Sequence, residues 1–145
     1  MAGRMWRAGP ALQAPRPGGG RTTPHILPME QRAATVFFDG ACPVCSREVA
    51  QYQRLQGAEA LCFVDASACD DAAFGPGLTR EAALARMTVR EADGRLVSGA
   101  AAFVAIWQRL PAMAWAAPVL GHRLVAPVAE AGYRLFLRLR RLWRR

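Results

Sequence analysis

The stretch Val36-Phe37-Phe38-Asp39-Gly40-Ala41-Cys42-Pro43-Val44-Cys45 constrains the chain more than any other. A β-branched and aromatic run that begins at Thr35 is closed by Asp39-Gly40, which reads as a buried strand ending in a turn. Behind it, Cys45, Val49, Tyr52 and Leu55 recur at helical spacing with Arg47, Glu48, Gln51 and Arg54 between them. That pattern predicts a helix with one face packed inward. Cys42 then falls at the junction of strand and helix, and Pro43 suits the first turn because the N–H it lacks would be unpaired there.

Leu61-Cys62-Phe63-Val64 is a second short apolar run, and the residues from its end to Arg86 predict a loop and a short helix with Thr79 as N-cap. Met87-Thr88-Val89-Arg90 and Arg95-Leu96-Val97-Ser98 flank Ala92-Asp93-Gly94, whose Asp-Gly step favours a tight hairpin. Phe103, Ile106, Trp107 and Leu110 follow at the spacing of an amphipathic helix that ends before Pro111. The order β-α-β, short α, β-β-α is an α/β, thioredoxin-like arrangement, a sheet of parallel and antiparallel strands with helices on its faces. One or two further helices are expected after Pro111, the last from about Pro127 into an Arg-rich end.

Residues 1–33 contain Pro10, Pro15, Pro17, Pro24, Pro28 and the run Gly18-Gly19-Gly20, and read as a disordered leader. Their Arg-rich, acid-poor character also fits an organelle transit peptide, but Met29, just before the first strand, makes an equally good start, and the favoured expectation is an over-extended gene start whose leader has no function. The expected organisation is a leader over 1–33, a thioredoxin-like domain over 34–110 and a helical extension over 111–145.

The chain has 145 residues, 52 % of them hydrophobic, enough for one sizeable core. Its formal charge of +8 sits at the ends. Residues 1–33 carry five Arg against Glu30, residues 134–145 six Arg and no acid, and the body between them eight Arg against ten acids. A basic tail attracts phosphates or anionic lipid without specificity, and no nucleic-acid motif accompanies it, so no specific nucleic-acid partner is expected. No segment has the roughly 18 uninterrupted apolar residues of a membrane span. The longest candidate, Met113 to Val128, is broken by Pro118, His122, Arg123 and Pro127. The N-terminus lacks the apolar core of a secretory signal, and the expected address is the cytoplasm, where a Cys pair more often does chemistry than stapling.

Three readings of the Cys pair compete. In the first, free N–H groups and the positive end of the helix dipole stabilise a thiolate at Cys42, making it the more exposed and more acidic thiol, below the ordinary ~8.5. Cys45, one turn further on and more buried, is placed to attack a mixed disulfide formed at Cys42. In the second, the pair is half of a zinc site, which needs four ligands. The remaining candidates are Cys62, Cys69, His25 in the leader and His122 far downstream. In the third, the thiols are structural.

Cys62 is expected as a buried core thiol and Cys69, in Ser67-Ala68-Cys69-Asp70-Asp71, as an exposed bystander. Asp39 has two compatible roles, an Asx interaction with its own turn and acceptance or relay of the Cys45 proton. His122 reads as a helix-boundary residue, and Trp107, Trp115 and Trp143 as core or interface anchors. No phosphate-cradling loop or pair of metal carboxylates appears, so no cofactor is expected.

The segment Phe38-Asp39-Gly40-Ala41-Cys42-Pro43-Val44-Cys45 resembles the D-G-x-C-x-x-C signature of the DCC family of predicted thiol-disulfide oxidoreductases, named for an Asp and two Cys. The Asp93-Gly94 turn, Gly99-Ala100-Ala101-Ala102, the helix with Ile106-Trp107, and the closing segment with Pro111, Trp115 and Tyr133-Arg134 are similar as well. The resemblance covers about residues 34–140 and implies a thioredoxin-like fold with Cys42 and Cys45 as the redox pair and Asp39 as the third signature residue. Joined to the residue reading, the expectation is a thiol-disulfide oxidoreductase of protein-disulfide reductase type in which Cys42 attacks and Cys45 resolves, with a zinc-stabilised binding module as the competing class. The partners would be a disulfide-bearing protein or small thiol substrate and an electron donor. Thioredoxins and glutaredoxins place a cis-proline just before the third strand; Ala85-Arg86-Met87-Thr88 has no proline there, which leaves peptide-substrate docking open between a general disulfide reductase and a narrow one.

From Arg134 to Arg145 apolar and Arg positions alternate. As a helix this segment either packs Leu135, Leu139 and Leu142 on the body or makes weak contact with an anionic membrane surface, Arg outward and Trp143 at the interface.

Overall fold

The computed structural model describes residues 34–144. The leader expected over 1–33, with His25, and the terminal Arg145 lie outside those residues. Strand β1 (Ala34–Phe38) is the centre of a four-stranded sheet in the order β2-β1-β3-β4. It pairs in parallel with β2 (Leu61–Asp65) and antiparallel with β3 (Thr88–Arg90), which pairs antiparallel with β4 (Leu96–Ser98). Being covered on both faces explains why β1 is a continuous apolar run rather than an alternating one.

Ala34 and Val36 face a core built with Val49, Tyr52, Ile106 and Leu110 from the helical side. These last come from α1 (Pro43–Gln53), from α3 (Ala100–Trp107) and from just beyond α3. Phe37 points to the other face and joins Phe74, Leu78 and Ala83, its ring 5.8 Å from that of Phe74. The short helix α2 (Arg80–Ala85) starts as expected, with the Thr79 hydroxyl accepting the Ala82 N–H at 3.2 Å. The hairpin also forms at the expected place: Glu91 N–H donates to Arg95 O at 2.8 Å, and Gly94 takes a φ of +90° that suits glycine. This mixed sheet with flanking helices is the α/β, thioredoxin-like fold expected from the element order.

After α3 the chain forms α4 (Ala117–Leu120) and α5 (Ala126–Trp143). His122 lies between them, its Nδ1 accepting the Leu124 N–H at 3.2 Å, as expected of a boundary residue. Trp107 donates its indole N–H to the Tyr52 hydroxyl at 2.9 Å, whereas Trp115 and Trp143 are exposed.

Burial departs from expectation at Cys62 and along α5. Cys62 is exposed, because β2 is an edge strand and the cluster on that face gathers around Phe37 and Val64, one pleat repeat further along. Of the two arrangements expected for the last helix, packing of Leu135, Leu139 and Leu142 on the body does not occur, and all three are exposed. Polar anchors set the rotation of α5 instead. The Tyr133 hydroxyl accepts the Met87 N–H at 2.8 Å, Glu130 takes the Ala100 N–H at 3.1 Å and pairs with Arg86, and Arg140 is buried.

Candidate active site

Asp39 ends β1, and the loop to α1 is tied down on every side. Its Oδ1 accepts the Ala41 N–H at 3.1 Å, the Asx interaction expected of it, and its carbonyl accepts the Cys42 N–H, also at 3.1 Å. Gly40 donates its N–H to Asp65 Oδ1 at 2.9 Å and accepts the Ser46 hydroxyl at 2.7 Å. A Cβ at Gly40 would overlap the Asp65 carboxylate, so glycine is required by close approach rather than by a positive φ. Burial raises the Asp65 carboxyl, but hydrogen bonds from the Ser67 hydroxyl and amide and from the Gly40 amide outweigh it and hold the group below its ordinary value.

Cys42 is the N-cap of α1 with Pro43 in the first turn, as the sequence predicts. Its exposure is not as predicted: Cys42 is 0 % exposed and Cys45 9 % exposed, so the first thiol is the more enclosed of the two. Burial pushes the Cys45 thiol up to about 12; a hydrogen bond with Cys42 adds to this, and Arg140 opposes it. Cys45 also lines an apolar cavity of about 230 Å³ with Val44, Met87, Phe103, Tyr133 and Phe136.

The C-terminal helix completes the site. Arg140 Nη1 lies 3.8 Å from Cys45 Sγ and 3.8 Å from Asp39 Oδ2, while its Nη2 donates to Leu84 O at 2.7 Å at the end of α2. Those carbonyls are the ones a helix leaves unpaired, so the guanidinium satisfies α2 and the acid together. Arg144 Nε lies 2.7 Å from Asp39 Oδ2. That contact is off the hydrogen-bonding line, so the buried oxygen is paired by charge without a directed donor.

Asp39, Cys42 and Cys45 are therefore brought together, and the remaining thiols are not part of the group. Cys69, expected to be exposed, is half-buried against the Phe37 cluster, its carbonyl accepting Arg80 Nη2 at 2.6 Å. Among the described residues, no three His, Cys, Asp or Glu side chains gather as metal ligands would. Sequence reasoning missed Arg140, Arg144 and Asp65. The spacing of Tyr133, Phe136, Leu137, Arg140 and Arg144 on one helical face was the available signal for the two arginines.

A family model described as DCC1-like thiol-disulfide oxidoreductase matches residues 36–145. No curated protein and no solved structure matches the chain.

Proposed function

The chain belongs to the DCC1-like thiol-disulfide oxidoreductase family, and from that premise we propose that Cys42 and Cys45 are its redox couple and act as a protein-disulfide reductase. The observation that carries this reading is the contact between the two thiols at the N-terminus of α1, with Arg140 beside Cys45 and Asp39. The Cys42 thiolate attacks one sulfur of the substrate disulfide, that S–S bond breaks, and the departing thiolate takes a proton from solvent. Cys45 gives its proton to Asp39 and attacks Cys42 Sγ. The second substrate thiolate leaves, and a Cys42–Cys45 disulfide remains for a dithiol donor to reduce.

The electrostatics support this order of events. While both thiols are reduced, Cys42 helps to keep the Cys45 proton on. Once Cys42 is tied up in a mixed disulfide that contribution disappears, and the pull of Arg140 toward the thiolate stays. Cys45 is thus suppressed before the first step and released by it. Because Cys42 is enclosed, substrate entry requires its cover to yield. Of the two arginines that meet the buried Asp39 carboxylate, Arg144 is the more exposed, at 41 % against 8 % for Arg140.

Replacing Cys45 by Ser tests the scheme. The variant is expected to accumulate a mixed disulfide at Cys42 when mixed with a disulfide substrate, mapped by peptide mass. Absence of any adduct in that variant, or adducts forming equally at Cys45 in a Cys42→Ser variant, would overturn the assigned roles.

A further inference from the structure

Helix α5 carries two different faces. Inward, Tyr133, Glu130 and Arg140 hold its rotation through contacts to Met87, Ala100 and Leu84. Outward, Val128, Leu135, Leu139 and Leu142 fall on one side of the helix and are 71 %, 56 %, 44 % and 65 % exposed. A helix on a globular body normally turns such a row inward. Here the polar anchors prevent that, so the exposure is built into the packing and is not the result of a loosely held helix.

Arg134, Arg138 and Arg141 are exposed along one margin of the row, and Trp143 stands exposed at the other. Residues 134–145 contain no acid. Outside α5, Leu124 and Trp115 are also exposed. Among the described residues, no helix is long and apolar enough to cross a membrane, so a lipid-seeking α5 would lie along the surface.

We propose that the outward face of α5 docks on an anionic lipid bilayer, with the leucine row in the headgroup boundary and the arginines against the lipid phosphates. Charge decides between occupants. Glu130 pairs with Arg134 at the start of the row, and from Arg134 onward every charge on the helix is a cation, which complements a negatively charged surface. A second copy laid on the same row would bring arginines against arginines. This surface is independent of how the cysteines act, and it would place the redox pair, reached by the inward side of the same helix, next to the membrane.

The test is co-sedimentation of the full chain with vesicles of phosphatidylcholine alone and of phosphatidylcholine mixed with phosphatidylglycerol. Three proteins are compared: wild type, Leu135→Glu/Leu139→Glu and Arg138→Gln/Arg141→Gln. All substituted positions are exposed, and the Arg pair serves as the second variant if the Leu pair fails to fold. Wild type is expected to bind the anionic vesicles, with binding weakened by salt and reduced at least about tenfold in each folded variant. Three outcomes overturn the proposal: no binding to anionic vesicles; binding that neither variant changes, which would assign it to the five Arg of residues 1–33; or a wild-type dimer in sedimentation velocity that the Leu variant dissociates.

Discussion

Burial pushes the Cys45 thiol up to about 12, the Cys42 hydrogen bond adds to the shift, and Arg140 opposes it. The folded thiol keeps its proton up to that pH, whereas an unfolded one releases it near 9.0. The associated stabilisation is therefore complete below about pH 9 and drains away as pH rises toward 12, at up to about 1.4 kcal/mol per pH unit. The denaturation midpoint of the reduced wild type should fall more steeply between pH 9 and 11 than that of Cys45→Ala; parallel slopes would contradict the buried, proton-holding thiol. Arg140→Gln removes the cation shared by Cys45 and Asp39 and a donor to the α2 carbonyls. It should cost about 3 kcal/mol in urea unfolding and prolong the mixed disulfide at Cys42, with a wild-type lifetime counting against the role given to Arg140. At this scale the sequence was partly informative. Asp39, Cys42 and Cys45 sit within one local segment and were legible, whereas Arg140 and Arg144 reach them from the far end of the chain, where arginines in an alternating run read as a solvent face.

Among the elements, the β1–α1 connection shows how a two-residue turn can be fixed from a distance. Asp65, at the end of the neighbouring parallel strand, occupies the space that a side chain at Gly40 would need and takes the Gly40 N–H. Gly40→Ala should cost about 1–3 kcal/mol through this overlap. Adding Asp65→Ala should recover part of the loss, a non-additivity that chemical denaturation of the single and double variants will read. Strictly additive costs would mean that the clash is not with Asp65. The elements themselves were legible because each depends on local pattern: period-two and aromatic runs for strands, the Thr79 cap, the Asp93-Gly94 turn. The rotation of α5 was not. Its sequence offers two candidate faces, one with Leu135, Leu139 and Leu142 and one with Tyr133, Phe136 and Leu137, and apolar content favours the wrong one. Hydrogen bonds to Met87, Ala100 and Leu84 decide it, and none of these is visible before the fold brings the partners together.

In the whole molecule, the last element of the chain reaches the Asp39–Cys45 segment through Arg140 and Arg144, so the Arg-rich end is part of the candidate site as well as a charged tail. Deleting residues 141–145 while keeping Arg140 should raise the alkylation rate of Cys42 several-fold, with exposed Cys62 as the internal reference; an unchanged Cys42 rate would place its cover elsewhere. The position of the net charge at the chain ends was readable from the sequence, but the enclosure of Cys42 by the fold was not. The most direct test of the account is a dithiol/disulfide redox titration of the purified chain, prepared without chelator, with peptide mass mapping and metal content read on the same sample. The account predicts a reversible disulfide between Cys42 and Cys45 in metal-free protein, while Cys62 and Cys69 stay as thiols. Stoichiometric zinc that protects both cysteines until it is removed, or oxidation that never links Cys42 to Cys45, would contradict it.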